Sequence, residues 1–127
     1  MEYGDQKENT GVRLNRMKLK EVIGSLDLEV FYVSNPEGKT VSGGYVSDLL
    51  SDVMGNAEKN EVWITMQSHM NVVAIASLKE LSAVIFVGGI EPAEAVVRKA
   101  EEEGIALLGT KLPTFSIAGR MYQLLEK

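Results

Sequence analysis

The sequence predicts a single three-layer α/β/α domain built on a mostly parallel sheet of about four strands. Two observations lead to this fold class. Short, nearly continuous apolar segments recur along the chain, and strands of this kind are buried on both faces, as in a parallel sheet that helices cover. Longer segments with apolar residues at helical spacing lie between them, so strands and helices alternate. A chain of 127 residues has the size of one such domain.

The first sixteen residues differ from the rest of the chain. They are polar, carry charges of both signs and lack a sustained apolar period, so we interpret 1–16 as a flexible N-terminal extension of a domain that covers 17–127. Leu19, Val22, Ile23 and Leu26 recur at helical spacing and predict a short first helix that ends near Gly24-Ser25. The β-branched and aromatic residues of 28–33 predict the first strand, because the turn residues of 35–38 follow them.

A double glycine, Gly43-Gly44, follows the first strand and precedes an apolar stripe of helical spacing. We interpret the pair as a turn that opens the second helix, because consecutive glycines permit positive φ and leave their N–H groups accessible. The predicted helix ends at 55–56. Its stripe consists of Val46, Leu49, Leu50, Val53 and Met54.

The second half of the chain continues the alternation. Further strands are predicted over 62–66, 83–87 and 105–108, and a helix over 72–81. The next helix begins at Pro92, which suits a first helical turn, and stops at Gly104. The last helix begins near Thr114, a candidate N-cap. Right-handed crossovers between such strands place helices on both faces of the sheet.

Composition excludes several classes of function. The net charge is −5 and acidic residues are interspersed with basic ones, so we predict no nucleic-acid partner. The chain has no cysteine and one histidine, which argues against a metal site. Because no signal segment or membrane-spanning segment is visible, we predict a cytoplasmic protein. Residues 38–40 end like a phosphate-binding P-loop, but Val33 stands where that motif requires a glycine.

Glycines and polar residues follow the predicted strands at their carboxyl ends, where ligands of open parallel sheets bind. We therefore predict a ligand-binding face with close access to the backbone at the glycines and polar contacts from the side chains. Each residue also has a structural interpretation, as part of a tight turn or as a helix cap. The predicted site residues are Ser42, Gly43, Gly44, Gln67, Ser68, His69, Asn71, Gly88, Gly89, Glu91 and Thr110.

Residues 41–54, 62–71 and 85–89 resemble the DRTGG-domain family. The family motif spells Asp-Arg-Thr-Gly-Gly, and this chain has TVSGG at 40–44, so the glycines and one hydroxyl are kept. With Val41 in place of the arginine, the segment lacks a bidentate anion contact. The resemblance implies an α/β/α fold similar to the N-terminal domain of HPr kinase/phosphorylase. It also implies a regulatory or ligand-sensing module that often self-associates.

We accordingly predict a non-catalytic module that binds a small metabolite or a nucleotide-like ligand at the carboxyl edge of the sheet. The alternative is a self-associating module, such as a homodimer, or one that docks a protein partner without a small ligand. Catalysis is a third hypothesis and depends on His69, beside which no nucleophile or carboxylate is visible in the sequence. The sequence does not identify a cofactor.

Overall fold

A computed structural model of the chain describes residues 14–126. Most of the predicted N-terminal extension, residues 1–13, lies outside the described residues. The strands are β1 (Met17–Lys18), β2 (Glu29–Tyr32), β3 (Thr40–Val41), β4 (Gly43–Val46), β5 (Glu61–Thr65), β6 (Ala83–Phe86) and β7 (Ala106–Gly109). The helices are α1 (Leu19–Ser25), α2 (Leu50–Asn56), α3 (Asn71–Leu78), α4 (Glu94–Glu103) and α5 (Thr114–Glu126).

The main sheet has five strands in the order β2-β7-β6-β5-β4. Strands β4 to β7 run parallel to one another, and β2 pairs antiparallel with β7 at one edge. The prediction of a mostly parallel α/β sheet is confirmed. The segment predicted as the first strand is the antiparallel edge strand β2, and the fourth parallel strand is β4. Strands β1 and β3 form a separate antiparallel pair.

Helices cover both faces of the main sheet. One core packs the sheet against α1 and α5, and a second core packs it against α2, α3 and α4. Alternate side chains of β5 enter opposite cores, since Val62 and Ile64 belong to the first and Trp63 to the second. This is the three-layer α/β/α arrangement that the buried strands predict.

Gly43 and Gly44 are the first residues of strand β4, so the prediction that they form a turn opening a helix is wrong. Gly43 is paired with Glu61 and Gly44 with Val62, and neither glycine has a positive φ. A Cβ atom at Gly44 would lie 3.4 Å from the Sδ of Met121, an ordinary van der Waals distance, so α5 packs against this part of the strand with room for a small side chain. The error arose because glycine is depleted in strands and β4 has just two larger side chains.

Helix α2 is shorter than its apolar stripe predicts. It begins at Leu50, so Val46 ends strand β4 and Leu49 lies between strand and helix with 64% of its surface exposed. The hydroxyl of Ser47 accepts a hydrogen bond from the Leu49 N–H at 3.1 Å and forms the turn between the two elements. Val53 is fully buried, in agreement with the predicted inner face.

Helices α1, α3 and α4 end in the same way. One residue at the C-terminal end of each helix is left-handed, and these residues are Asp27 (φ 50°), Glu80 (φ 55°) and Gly104 (φ 72°). In each case the N–H of the following residue donates to the carbonyl of the residue five positions earlier, as in a Schellman motif. The bonds are Leu28 to Ile23 at 3.0 Å, Leu81 to Ala76 at 3.0 Å and Ile105 to Ala100 at 2.9 Å. The predicted stop at Gly104 agrees with this geometry.

Two residues of the predicted N-terminal extension contact the folded domain. Leu14 packs against the core beneath α1 and α5, and the N–H of Asn15 donates to the carbonyl of Leu125 at 2.7 Å. The domain boundary after residue 16 remains a prediction. Across 14–126, none of the helices combines the length and the hydropathy that crossing a bilayer requires.

Candidate functional site

The four parallel strands end at a common edge of the sheet, which we call the carboxyl edge. The segments that leave it are 47–49 after β4, 66–70 after β5, 87–93 after β6 and 110–113 after β7. In open parallel sheets this is the edge at which ligands bind. A ligand site is therefore expected at this edge.

The predicted site residues divide between the two edges. Ser42, Gly43 and Gly44 lie at the opposite edge, the amino edge, because they precede or begin β4, and the Ser42 N–H donates to the carbonyl of Asn60 there at 3.0 Å. The expectation that the two glycine pairs share an edge is wrong. The residues at the carboxyl edge are Gln67, Ser68, His69, Asn71, Gly88, Gly89, Glu91 and Thr110.

The loop after β6 makes a tight turn at Gly88 and Gly89. Their φ angles are 65° and 77°, values that glycine adopts without strain, as in a type I′ turn. The Gly88 N–H donates to the carbonyl of Leu112 and the Gly89 N–H to that of Thr110, both at 2.9 Å. These bonds tie the loop after β6 to the loop after β7. Both N–H groups are therefore used in hydrogen bonds between the loops and are not free to bind a ligand.

His69 directly precedes Met70, the N-cap residue of helix α3. The Nδ1 of His69 accepts a hydrogen bond from the Asn71 N–H at 3.1 Å, and the His69 carbonyl accepts from the Val72 N–H at 2.9 Å. The nearby Gln67 N–H donates to the hydroxyl of Thr65 at 3.0 Å. The loop after β5 is thus organised by local hydrogen bonds, with the side chains of Gln67 and His69 exposed.

Asp48 is a carboxyl-edge residue that the sequence analysis missed. Its Oδ1 accepts hydrogen bonds from the Met66 N–H at 2.7 Å and the Thr65 hydroxyl at 2.9 Å. The carboxylate therefore joins the loop after β4 to the loop after β5. A signal was present, because Ser47 and Asp48 directly precede the apolar residues of α2, as helix-starting residues do.

A second carboxylate, Asp52, anchors α2 to strand β4. Its Oδ1 accepts a hydrogen bond from the Tyr45 hydroxyl at 2.8 Å. Hydrogen bonding from Ser47 and from Tyr45 lowers the pKa of Asp52 below its ordinary value, and the hydrogen bond to Asp52 raises the pKa of Tyr45. The contacts hold the helix N-terminus near the carboxyl edge.

A cavity with a volume of about 370 Å³ lies at this edge, beyond the end of β7. We call it the carboxyl-edge cavity. It lies within the size range of small-molecule sites, about 300–1,000 Å³. Its lining residues are Leu26, Asp27, Glu29, Gly109, Thr110, Lys111, Leu112 and Arg120.

The charges of this cavity come from separate elements of the fold. Lys111 follows β7 and Arg120 lies on α5, while Asp27 and Glu29 flank the start of β2. Across 14–126, neither Lys111 nor Arg120 forms a salt bridge. A guanidinium and an ammonium can bind phosphate oxygens, and carboxylates can accept hydrogen bonds from hydroxyl groups. The Thr110 hydroxyl accepts from the Leu112 N–H at 3.1 Å and shapes the loop between them.

Among residues 14–126, no group of three or more histidine and acidic side chains is arranged to hold a metal ion. The polar chemistry of the carboxyl edge consists of hydrogen-bonding groups and of the charges in its cavity.

The sequence was compared with models of known protein families. The DRTGG-domain profile matches residues 21–124, most of the 127-residue sequence. The chain belongs to the DRTGG-domain family. No match was found among curated proteins.

The fold of this DRTGG domain is also similar to a solved structure. That structure contains the CBS and DRTGG domains of the regulatory region of a Clostridium perfringens pyrophosphatase, in complex with the activator diadenosine tetraphosphate. The TM-score is 0.70 at 18% sequence identity, and the match covers 86% of the present chain and 47% of the other. The present chain thus spans about half of the regulatory region that it resembles.

In this DRTGG domain, the motif segment 40–44 forms β3, Ser42 and the start of β4. It borders two smaller cavities away from the carboxyl edge. One, at the amino edge, includes Thr40 and has a volume of about 270 Å³. The other is an apolar groove of about 280 Å³ between β4 and α5, which we call the β4–α5 groove. Its lining residues are Leu14, Gly44, Val46, Ile64, Ala118, Met121, Tyr122 and Leu125.

Proposed function

We propose that this DRTGG domain is a non-catalytic regulatory module that binds a small phosphorylated or nucleotide-like ligand in the carboxyl-edge cavity. The observation that carries the proposal is the placement of Lys111 and Arg120 around one cavity at the edge where parallel sheets bind ligands. The similar regulatory region, which binds a dinucleotide activator, supports the proposal.

The geometry suggests a division of roles within the cavity. Arg120 and Lys111 would bind phosphate oxygens, since a guanidinium offers a planar pair of donors and an ammonium a compact charge. Asp27 and Glu29 would accept hydrogen bonds from ribose-like hydroxyl groups. Because Glu29 belongs to β2 and Arg120 to α5, a bound ligand would bridge the edge strand and the last helix.

The earlier site prediction is retained in revised form. Thr110 lines the cavity, and the other predicted carboxyl-edge residues are proposed to border the bound ligand. We propose binding and not catalysis because the Nδ1 of His69, the single histidine, accepts a hydrogen bond from the first residue of α3. The bordering residues are Gln67, Ser68, His69, Asn71, Gly88, Gly89 and Glu91.

Thermal-shift and calorimetric titrations with AMP, ATP, diadenosine tetraphosphate, adenosine and inorganic phosphate test the proposal. We expect at least one phosphorylated nucleotide to raise the melting temperature and adenosine to leave it unchanged. Arg120→Met should weaken binding about tenfold or more, because a charge-assisted hydrogen bond contributes roughly 1.5–3 kcal/mol.

Arg98→Met is the matched control. Arg98 lies on α4 and pairs with Glu94 at 2.7 Å on an exposed surface, away from the cavity. Equal losses of affinity in the Arg98 and Arg120 variants would contradict the proposed site. Failure of every phosphorylated compound to stabilise the protein would contradict the ligand-binding function itself.

Self-association is the second candidate function, and the β4 edge favours it. Strand β4 pairs with β5 alone in the main sheet, and beside it Val46 and Tyr122 are 48% and 46% exposed at the β4–α5 groove. An edge strand next to an apolar surface is a typical place for pairing with a second chain. The corresponding proposal is a homodimer formed across β4, without a small ligand.

Sedimentation of two edge variants tests the homodimer. Val46→Lys places a charge on the β4 edge, and Val30→Lys places one on the β2 edge, where Val30 is 46% exposed. We expect the Val46 variant to be monomeric at concentrations at which the wild type and the Val30 variant are dimeric. A monomeric wild type at micromolar concentration would contradict this proposal.

Three further predictions stay part of the proposal. We propose that the protein resides in the cytoplasm, that 17–127 is the functional unit and that any partner is a small molecule or a protein. Removal of 1–16 should therefore leave ligand affinity unchanged. Because Leu14 and Asn15 contact the domain, a lower melting temperature after this removal would assign them a stabilising role.

A further inference from the structure

A second polar cavity lies at the amino edge of the sheet, opposite the proposed nucleotide site. We call it the amino-edge cavity. Three loops form it, those that precede β3, β5 and β6. Its volume of about 270 Å³ is sufficient for a phosphate group that carries a small substituent. The lining residues are Gly38, Lys39, Thr40, Lys59, Asn60, Glu80, Leu81 and Ser82.

Hydrogen bonds centred on Asn60 hold the three loops together. The Asn60 N–H donates to the carbonyl of Glu80 at 3.0 Å, and the Asn60 carbonyl accepts from the Ser42 N–H at 3.0 Å. The buried hydroxyl of Ser82 lies within hydrogen-bonding distance of the carbonyls of Thr40 and Asn60. The wall of the cavity is therefore preorganised and does not need to be ordered by a ligand.

Two residues of this wall have left-handed backbones although they are not glycine. The φ of Asn60 is 70° and that of Glu80 is 55°. Asparagine tolerates this conformation, but glutamate is unusual at a helix end where glycine is preferred. The conformation of Glu80 belongs to the end of α3 and that of Asn60 to the turn before β5, and both fix the shape of the cavity wall.

The cationic groups of the cavity have incomplete partners. Lys39 is half-buried, its Nζ donates to the carbonyl of Gly104 at 2.8 Å, and burial lowers the pKa of its ammonium. An ammonium has three donors, and among the described residues this is the one hydrogen bond that Lys39 Nζ makes. The Nζ of Lys59 lies 3.9 Å from the carboxylate of Glu80, too far for a hydrogen bond, and both side chains are exposed.

We propose that the amino-edge cavity is a second ligand site, which binds the phosphate group of a small molecule between Lys39 and Lys59. The two ammonium groups together match the double negative charge of a phosphate group better than the single charge of a carboxylate. Each binds phosphate as a compact charge. Glu80 competes for Lys59 when the cavity is empty. The site is independent of the carboxyl-edge cavity, since the two share no lining residue.

Amide NMR titration with inorganic phosphate at constant ionic strength tests this site. We expect saturable shifts at the amides of 38–40, 59–60 and 80–82, and unchanged affinity in Arg120→Met. Lys59→Met should weaken binding about fivefold or more. Lys20→Met is the matched control, because Lys20 is an exposed lysine whose ammonium pairs with Glu37 at 2.8 Å.

Glu80→Gln distinguishes a binding role from a structural one. Removing the competing carboxylate should tighten phosphate binding, a gain that no loss of structure would produce. Linear, unsaturated shifts, or an unchanged affinity in Lys59→Met, would overturn the site. Equal binding of acetate would overturn its preference for phosphate. Loss of phosphate binding in Arg120→Met would assign the anion to the carboxyl-edge cavity instead.

Discussion

The two glycine pairs differ in what their backbones require. Gly88 and Gly89 have positive φ angles, so a side chain there is strained although a Cβ would meet no atom within 4 Å. Gly43 and Gly44 lie in a strand, and a Cβ at either would make ordinary contacts at 3.4 Å or more. The same dipeptide therefore forms a turn in one place and the start of a strand in the other.

Alanine substitutions should separate these roles. We expect Gly88→Ala and Gly89→Ala each to lower the free energy of unfolding by about 1–2 kcal/mol, the cost of a left-handed backbone. Gly43→Ala and Gly44→Ala should change it by less than about 1 kcal/mol. Urea unfolding measures all four. A larger loss at position 43 or 44 than at 88 or 89 would contradict the assignment.

Some residues of the candidate site could be predicted from sequence, and others could not. His69, Gly88 and Thr110 were placed at the correct edge because each directly follows a recognisable buried strand. Lys111 and Arg120 could not be brought together from sequence, because their meeting at one cavity depends on how α5 packs on the sheet after β7. Local patterns identify the edge of a sheet, but packing between elements decides which charges share a cavity.

At the scale of elements, three helix ends share one geometry but differ in residue type. Glycine occupies the left-handed position after α4, whereas Glu80 occupies it after α3. The end of α4 at Gly104 could be predicted because glycine is the residue that usually ends a helix in this way. The sequence could not predict the left-handed backbone of Asp27 or Glu80, because the helix end and the following strand impose that conformation on residues that do not prefer it.

Substitutions at Glu80 and Gly104 form a matched pair. Glu80→Gly should raise the free energy of unfolding by about 0.5–1 kcal/mol, because glycine adopts the left-handed conformation without strain. Gly104→Ala should lower it by about 1 kcal/mol for the same reason. Thermal and urea unfolding of both variants provide the measurement. If Glu80→Gly destabilised the protein, the exposed contact with Lys59 would have to contribute more than such pairs usually do.

The link between α2 and β4 predicts a dependence on pH. The folded-state pKa of Asp52 is below its unfolded value, so its stabilising contribution is fully present above the unfolded pKa, about 3.9, and is lost as the pH falls through the folded pKa. Asp52→Asn should therefore flatten the pH dependence of stability below about pH 4. Tyr45→Phe should shift the Asp52 pKa upwards.

Urea unfolding between neutral pH and pH 3 tests the first expectation, and carboxyl NMR titration tests the second. The wild type and Asp52→Asn should differ most at neutral pH and converge in acid. Parallel stability curves for the two proteins would show that the hydrogen bonds to Asp52 do not stabilise the folded state.

At the scale of the whole molecule, the buried parallel strands were the strongest sequence signal. Ala83, Val84, Ile85 and Phe86 in β6 are all fully buried, and such a run predicted a strand covered on both faces. Strand β4 lacked this signal, because half of it is glycine. The sheet order was also outside the reach of sequence, since edge strand β2 pairs antiparallel with a strand that is distant along the chain.

The burial of each strand predicts how slowly its backbone amides exchange with solvent. We expect the amides of β5 and β6 to exchange with deuterium most slowly, because these strands lie inside the sheet and carry its buried side chains. The amides of β2 should exchange sooner, since this strand is at an edge. Native-state hydrogen exchange followed by NMR provides the measurement. Slower exchange in β2 than in β6 would contradict the expectation.

The pairing of β2 with β7 has a consequence for synthesis on the ribosome. Glu29 is paired with Gly109, so the strand made first in the main sheet must wait for the strand made last. Until β7 leaves the exit tunnel, the emerged chain carries β2 without its partner and α1 without α5. Strands β4, β5 and β6 can associate earlier. Strand β2 then joins a sheet that the later strands have already begun to form.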